Sequence, residues 1–373
     1  MASPQYEVLS QSFIMSLIGK LRSRYNKMRE MKRRKLKITK NFKDLEVHRK
    51  LSREQKAEVQ AFYKSMIGKK IDLHCHEYFY SRTGFFSKEY VPANFYHCEL
   101  VPRANNHHMG VFYGDKNMAD LFFPGEKLAH CYLKNINGYF YFEGCPVSRE
   151  DALDRCKDLG KVIIKPSRES KGSGVQLIDI RNGLFDGSQP LSALFDQYGK
   201  DFLIQQCVVQ HKAMAALNPT SVNTLRILSY RSGMEVLIIY SVIRIGRMNQ
   251  VIDNQCAGGI STTIDKNGRL GKMAFGGYSS DNIEKTDSGI VLEGYQVPSY
   301  EKAIDMVKRL HLQLSFFDII GWDVAIQEDG EPVLIEFNTN PGLSQSAFGS
   351  GMGEYTERII KELWPRPNTW FPY

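Results

Sequence analysis

The chain has 373 residues, of which 42% are hydrophobic and 24% are charged, and its formal net charge is +8 at pH 7. These values are typical of a soluble globular protein with several lobes and exclude a fibrous or wholly disordered chain. Seven cysteines without CxxC spacing argue against a disulfide framework and a zinc ribbon. No run of about 18 apolar residues and no signal-peptide pattern occurs, so we expect no transmembrane helix and a cytoplasmic protein.

The first segment, residues 1–65, is predicted to be helical and basic, because the residues from Lys20 to Lys40 include almost no acid. Such a run suits an anionic membrane, which would place the protein at the inner membrane face. We expect no nucleic-acid partner, since no recognition motif accompanies the run. An apolar stripe at helical spacing suits an amphipathic helix lying on that membrane, but the favoured interpretation is that the same stripe packs the helix on the protein body. The stripe consists of Phe13, Ile14, Leu17, Ile18 and Leu21.

Residues 66–110 are predicted to form a small N-terminal lobe of loops and short strands. The sequence KIDLHCH at residues 70–76 alternates like a strand, with His74 and His76 on one face. Two histidines at this spacing can share a metal, as in some metal-dependent hydrolases. The further ligands of such an enzyme are not found along the chain, so structural or substrate-contacting histidines are the favoured interpretation.

Residues 111–205 combine two lysines with a glycine-rich loop. Asp115 is predicted to cap a short helix that presents Lys116. A buried strand ends at Lys165, and the Ser170–Gly174 loop, SKGSG, leads into another strand at residues 175–180. The loop lacks the P-loop order, yet its backbone N–H groups suit a polyphosphate, with Lys165 as a point charge. A further predicted strand, residues 202–209, carries Gln205 and Gln206 and precedes His211.

Residues 206–373 contain two apolar strands, residues 223–230 and 236–243, that deliver Arg226 and Arg244. Burying a guanidinium is costly without an anion, so we expect an anionic ligand, and the alternative is an acid of the protein core. A loop with Asn254, Gly258 and Gly259 suits close approach of a substrate. An amphipathic helix is predicted over residues 301–315.

A hairpin closes this segment and carries oxygen ligands at residues 321–342. Its first strand holds Asp323, and its second strand holds Glu336 and Asn338 on one face. Two carboxylates and an amide oxygen suit Mg²⁺, which completes its coordination with water and phosphates. The alternative is an exposed hairpin with solvated acids. Asn340 and Gly342 end the second strand and open a Gly/Ser run that allows close approach of a ligand.

In this order, the motifs resemble those of the ATP-grasp superfamily over about residues 111–350. The strand at residues 223–226, Arg244 and the Asn254 loop are similar to segments of its ribosomal-protein glutamate ligase type. The whole chain, including YVPANFYH and NQCAGGIST, is most similar to the sugar-transfer-associated ATP-grasp family, predicted to serve bacterial surface-polysaccharide synthesis. The superfamily resemblance rests on Lys116 in DKN, Lys165 in IIKP, the SKGSG loop, Asp323 in GWDV, and IEFNTNPG.

The resemblance implies an α+β ATP-grasp fold with a small subdomain at residues 111–205 and a large one at residues 206–373, which grip ATP between them. It also implies ATP and Mg²⁺ as cofactors and a residue set for each role. The implied residues are, for ATP, Lys116, Lys165, Ser170, Lys171, Gly172, Ser173, Gly174, Gln205 and Gln206; for Mg²⁺, Asp323, Glu336 and Asn338; for catalysis, Arg226, Arg244 and Asn254; and for substrate, His211, Gly258, Gly259, Asn340 and Gly342.

The expected reaction is ATP-dependent ligation of a carboxylate to an amine through an acyl-phosphate, with small-molecule substrates that carry or lack a sugar. A kinase that phosphorylates a small molecule or sugar is the alternative within enzymes, because the same residues serve it. A degenerate ATP-grasp scaffold is the alternative without catalysis. The oligomeric state is left open.

Overall fold

The computed structural model describes residues 4–169, 172–247, 258–276 and 282–370. Three residues with predicted roles, Ser170, Lys171 and Asn254, lie outside these ranges. The α-helices are α1 Pro4–Lys43, α2 Arg53–Ile67, α3 His74–Thr83, α4 Ala93–Phe95, α5 Val101–Ala104, α6 His107–Tyr113, α7 Ala119–Phe122, α8 Arg149–Cys156, α9 Leu191–Tyr198, α10 Lys212–Leu217, α11 Tyr300–Gln313, α12 Gln345–Phe348 and α13 Thr356–Leu363.

A π-helix covers Tyr96–Leu100 and a 3₁₀-helix covers Lys116–Met118. Among the described helices, none is both long enough and apolar enough to cross a bilayer. The strands are β1 Cys131–Ile136, β2 Tyr139–Phe142, β3 Cys145–Val147, β4 Gly160–Pro166, β5 Gln176–Arg181, β6 Leu184–Phe185, β7 Gln189–Pro190, β8 Phe202–Gln206, β9 Thr224–Ser232, β10 Glu235–Ile245, β11 Ile260–Ile264, β12 Ala274–Phe275, β13 Asn282–Ile283, β14 Ile319–Ile326, β15 Pro332–Asn338 and β16 Gly351–Glu354.

The chain divides into two compact units. One comprises residues 1–108 and 350–373, and the other comprises residues 109–349. This division groups residues 350–373 with the N-terminal unit, whereas the predicted large subdomain runs to residue 373. The finer predicted division at residues 65, 110 and 205 stays a prediction.

The N-terminal unit is mostly helical. Helix α2 starts with a capping box, in which the side chains of Ser52 and Gln55 each accept the other's backbone N–H. The helix ends at Gly68, whose φ of 68° is left-handed. Behind these helices a small core contains Leu45, Tyr78 and Tyr90.

The prediction of a strand at residues 70–76 is wrong, and so is that of short strands up to residue 106, whereas residues 84–92 do form a loop. Helix α3 begins at His74, and residues 93–104 are helical as well. Residues two apart on a helix point about 200° apart, so the two histidines do not share a face. His74 is exposed and bonds Asp72 with 2.7 Å between Nδ1 and Oδ1, whereas His76 is buried. Burial lowers the pKa of His76 to about 4.

The second unit contains two antiparallel sheets. The eight-stranded sheet has the order β3-β2-β1-β8-β4-β5-β6-β7, and the seven-stranded sheet has the order β13-β12-β11-β10-β9-β14-β15. The predicted hairpins β4–β5 and β14–β15, the apolar strands β9 and β10, and the amphipathic helix α11 are confirmed. The predicted capped turn at Asp115 is also present, since its side chain accepts Asn117 N–H.

Each sheet has its own hydrophobic core. Helices α8 and α9 contribute Ala152, Leu194 and Phe195 to the core on the eight-stranded sheet. Helix α11 buries Ala303, Met306, Val307 and Leu310 on the seven-stranded sheet, against strands that include fully buried Trp322. Because each sheet packs on its own core, it provides a stable frame for the polar side chains that point away from that core.

Candidate active site

The β14–β15 hairpin brings the predicted metal ligands together. Asp323 and Glu336 are cross-strand partners, and Asn338 lies opposite Gly321 two positions along the same strand. Since alternate residues of a strand face the same side, Asn338 is on the face of Glu336. The register shifts between Asp323 and Val324. Asp323 is only 4% exposed, so the alternative of a hairpin with solvated acids is wrong for this carboxylate.

Two arginines, one from the adjacent strand β9 and one from the next strand β10, reach Asp323. Arg226 is its partner on β9 and donates from Nε and Nη2 to the two carboxylate oxygens at 2.6 and 2.7 Å. Arg244 on β10 lies 3.3 Å from both oxygens through Nη1. The structure therefore confirms the alternative, in which these arginines pair with an acid of the protein. That acid, Asp323, is itself a predicted metal ligand.

The pKa of Asp323 follows from these contacts. Burial alone would raise it, but the charges of Arg226 and Arg244 and the hydrogen bonds that Arg226 donates hold the pKa of this carboxyl well below its usual range. Asp323 is thus ionised at neutral pH. The bidentate contact with Arg226 also fixes the orientation of the carboxylate.

Lys165 ends β4 on the other sheet and is 7% exposed. Its ammonium group makes no hydrogen bond or ion pair with any residue in the described ranges. Burial lowers its pKa to about 8, opposed by the charges of Glu336 and Asp323 and reinforced by Lys116. A buried ammonium without a close partner is costly, so this position suits an anionic ligand.

Lys116 joins the same group of charges from the 3₁₀-helix. Its Nζ donates to the backbone oxygen of Glu169 at 2.6 Å and lies 4.0 Å from Oε2 of Glu336. Glu336 is more exposed than Asp323, with 37% of its side chain accessible. The two predicted ATP lysines and the predicted metal ligands therefore form one electrostatic cluster within this unit.

The described part of the glycine-rich loop, Gly172, Ser173 and Gly174, forms a turn between β4 and β5. Gly174 has a φ of +69°, and a Cβ at this residue would lie 2.8 Å from Cγ of Pro166. Its carbonyl accepts the hydroxyl of Tyr198 at 2.6 Å. A side chain at Gly174 would therefore disturb the turn that follows Lys165.

The segment after β8 runs beside the end of β14. Gln205 lies on β8 and donates through Nε2 to the oxygen of Ala129 at 3.3 Å, whereas Gln206 is exposed. His211 donates its backbone N–H to Ile326 O at 2.8 Å, and its Nδ1 accepts the N–H of Ala213. His211 thus caps α10, and its substrate-binding role stays a prediction.

The remaining predicted substrate residues lie at loop ends of the seven-stranded sheet. Gly258 and buried Gly259 precede β11, whose Ser261 pairs with Arg244. Asn340 is exposed, and its N–H donates to Oδ1 of Asn338 at 2.8 Å. The roles of these residues stay predictions.

Tyr240 is a site residue that the sequence analysis missed. Its hydroxyl donates to Gly342 O at 3.1 Å and accepts Ser344 N–H at 3.0 Å, and its ring stacks on Phe348. It therefore holds the loop that follows the Asn338 strand. The sequence signal was a single phenol within the apolar strand β10, which is equally typical of a core residue.

The oxygen donors fit Mg²⁺ together with a polyphosphate. Asp323, Glu336 and Asn338 offer two carboxylates and an amide oxygen, and a carboxylate has about four acceptor sites, so Arg226 does not exhaust Asp323. Among the described residues, no group of three or more His, Cys, Asp or Glu is placed to hold a metal. This donor set therefore depends on its amide oxygen and on oxygens from a ligand.

Solved structures that resemble this chain share little sequence identity with it. The D-alanine–D-alanine ligase of Bacillus anthracis has 13% identity and a TM-score of 0.41, covering 70% of each chain. The L-amino acid ligase of Bacillus licheniformis has 10% identity and a TM-score of 0.40, covering 69% of this chain and 49% of its own. The N5-carboxyaminoimidazole synthase of Aspergillus clavatus, in complex with ADP and 5-aminoimidazole ribonucleotide, has 11% identity and a TM-score of 0.41, covering 72% and 56%.

No curated protein matches the sequence. The model of the sugar-transfer associated ATP-grasp family matches residues 143–361, which is more than half of the chain. This match contains Lys165, both arginines and the whole β14–β15 hairpin, and it confirms the predicted α+β ATP-grasp fold. The chain belongs to the sugar-transfer associated ATP-grasp family.

Proposed function

We propose that this protein is an ATP-dependent carboxylate–amine ligase that acts through an acyl-phosphate on a sugar or amino-acid precursor of a bacterial surface polysaccharide. The observation that carries the proposal is the charge of the site. Lys116, Lys165, Arg226 and Arg244 surround two carboxylates, Asp323 and Glu336. An excess of two positive charges in a largely buried place favours a polyanion such as ATP.

ATP would meet the site through groups from both sheets. Lys165 and Lys116 would contact phosphate oxygens, and the backbone N–H groups of the loop that contains Gly172 would lie along them. Gln205 and Gln206, beside the segment after β8, would approach the base. Mg²⁺, when held by Asp323, Glu336 and Asn338, would neutralise charge on the β- and γ-phosphates.

The reaction is balanced in two steps. An oxygen of the carboxylate substrate attacks the γ-phosphorus, the bond to the β-phosphate oxygen breaks, and acyl-phosphate and ADP form. The amine nitrogen then attacks the acyl carbon, phosphate leaves, and the amine loses a proton to solvent. Both steps place negative charge near the arginines.

Arg244 is the better candidate to stabilise that charge. It is 18% exposed and contacts Asp323 at 3.3 Å, whereas Arg226 is 8% exposed and holds Asp323 in a bidentate pair. We therefore assign Arg244 to the developing oxyanion and Arg226 to the positioning of Asp323. Loss of such an oxyanion donor costs on the order of 10²-fold in rate.

The test uses pools of candidate acids and amines as co-substrates. ADP release from Mg·ATP is measured with pooled amino acids, amino-sugars and carboxy-sugars, and phosphorus products are followed by ³¹P NMR. Glu336→Ala is the inactive variant, and Glu331→Ala is its matched control, because Glu331 lies at the turn of the same hairpin and pairs with Lys302 on the surface.

If the protein is a ligase, ADP and free phosphate should form in equal amounts and only when two co-substrates are present. This product formation should be lost in Glu336→Ala but not in Glu331→Ala. ADP together with a new phosphoester or phosphoramidate resonance would replace the ligase by a kinase. If no ADP release depends on Glu336, and Mg·ATP does not bind at millimolar concentration, the protein is a non-catalytic scaffold.

A further inference from the structure

We propose that the outer face of α1 is a docking surface for an anionic lipid bilayer. This outer face is defined by the exposed residues of α1 from Ile18 to Lys43. It belongs to the N-terminal unit and is independent of the proposed ligase chemistry. Five large apolar side chains are more than half exposed on it: Ile18, Leu21, Tyr25, Met28 and Leu36.

The inner side of α1 is already held by the N-terminal unit. Ser23 donates to Trp370 O at 2.8 Å, and Lys27 pairs with Glu99 at 2.9 Å. Further along, Ile38 and Phe42 pack on the core of this unit. The helix is thus attached by a different side from these five apolar residues. The prediction that the apolar stripe packs on the body is wrong for Ile18 and Leu21, which are 53% and 57% exposed, and the side chains of Phe13, Ile14 and Leu17 lie outside the described part of the chain.

The outer face combines these five exposed apolar side chains with cationic ones. At about 100° per residue, the five apolar residues fall within roughly 120° of the helix circumference. Arg22, Arg29, Lys32 and Lys40 are exposed and fall in the same sector. Glu30 is the single acidic residue between positions 18 and 43, and it lies on the other side, paired with Arg34 at 2.7 Å.

This combination selects a bilayer over two other partners. A second copy of α1 would bring cations against cations, which is unfavourable across an otherwise apolar contact. Nucleic acid attracts the cations but gives no favourable environment to five exposed apolar side chains. The boundary of an anionic bilayer accepts both groups, with apolar side chains among acyl chains and cations at the headgroups.

The experiment is co-sedimentation of the full-length protein with vesicles of phosphatidylcholine containing about a third phosphatidylglycerol, and with vesicles of phosphatidylcholine alone. The apolar variant is Leu21→Gln, Tyr25→Ser and Met28→Gln together, and the charge variant is Arg29→Gln with Lys32→Gln. Because all five side chains are exposed, the fold should persist, which circular dichroism checks.

We expect wild-type protein to bind the anionic vesicles and not the neutral ones. A basic residue near an anionic surface contributes about 1 kcal/mol, so the charge variant should bind about 30-fold more weakly. The apolar variant should also lose binding. Matched controls are Met234→Gln, which removes an even more exposed apolar side chain from the β9–β10 turn, and Lys200→Gln with Lys266→Gln; both should bind like wild type.

Three results would overturn the proposal. One is equal sedimentation with neutral and anionic vesicles. The second is binding to duplex DNA that is stronger than to vesicles and unchanged in the apolar variant. The third is a dimer in sedimentation velocity that the apolar variant abolishes, with no vesicle binding in wild type.

Discussion

Replacement of Lys165 by methionine should make the ligand-free protein more stable while it weakens ATP binding. Lys165 is 7% exposed, and its pKa falls from 10.5 to about 8, chiefly because of burial. A shift of this size corresponds to about 3 kcal/mol spent in keeping the ammonium charged inside the protein. Lys165→Met removes the charge and keeps the length of the side chain, so it should recover up to about this amount at neutral pH.

The effect should depend on pH in a defined direction. Between the folded pKa of about 8 and the unfolded value of 10.5, the unfolded chain binds more protons, so wild-type stability rises with pH in this window. The charge that destabilises wild type is present below pH 8 and is lost above it. The stability advantage of Lys165→Met should therefore be largest near neutral pH and shrink as the pH rises through 8.

The assay is urea unfolding of wild type and variant at about pH 7 and about pH 9.5, spanning most of that window. Lys161→Met is the matched control, since Lys161 lies on the same strand and is exposed, and it should change stability by less than about 0.5 kcal/mol. ATP affinity, measured by calorimetry, should fall about tenfold or more in Lys165→Met alone. Equal destabilisation by Lys165→Met at both pH values, with unchanged ATP affinity, would refute the reasoning.

Three further predictions concern single groups. Asp323→Asn should lower the free energy of unfolding by about 3 kcal/mol in chemical denaturation, because it leaves two arginines in the interior without their shared anion; a loss below about 1 kcal/mol would show that solvent already compensates Arg226. Tyr240→Phe should cost about 1 kcal/mol and accelerate hydrogen exchange at Ser344, whose N–H bonds the phenol at 3.0 Å, and unchanged exchange would contradict that role. Ser52→Ala should cost about 1 kcal/mol through loss of the α2 capping box, whereas Ser52→Asp should not.

Much of the unit formed by residues 109–349 could be predicted from sequence, because its local patterns agree with its fold. The alternation of β14 and β15 around a turn at Gly330, with a φ of +80°, predicted the hairpin and its ligand face. The apolar alternation of β9 and β10 and the 3.6-residue period of α11 were equally clear. One face of each of these elements is buried, so the spacing of apolar residues in the sequence follows the repeat of the strand or helix.

The N-terminal unit was predicted less well, because short stretches of its sequence fit both the two-residue repeat of a strand and the 3.6-residue repeat of a helix. Residues 71–75 alternate, but the burial of Cys75, Tyr78, Phe79 and Arg82 follows the turns of α3. Aromatic side chains in the region predicted as loops and short strands instead pack between helices, as Phe95 does against Tyr63 of α2. Aromatic residues favour strands only weakly, and tertiary packing decides such segments.

The sequence by itself determined which side chains carry charge and which strands present them, because alternation is a local property of the backbone. It could not determine which charges meet. Arg226 and Asp323 are 97 residues apart in the chain and pair because β9 and β14 are neighbours in one particular register. The apolar stripe of α1 likewise predicted an amphipathic helix, and only tertiary packing decided that Ile18 and Leu21 face outward, since Ser23 and Lys27 already occupy the inner side.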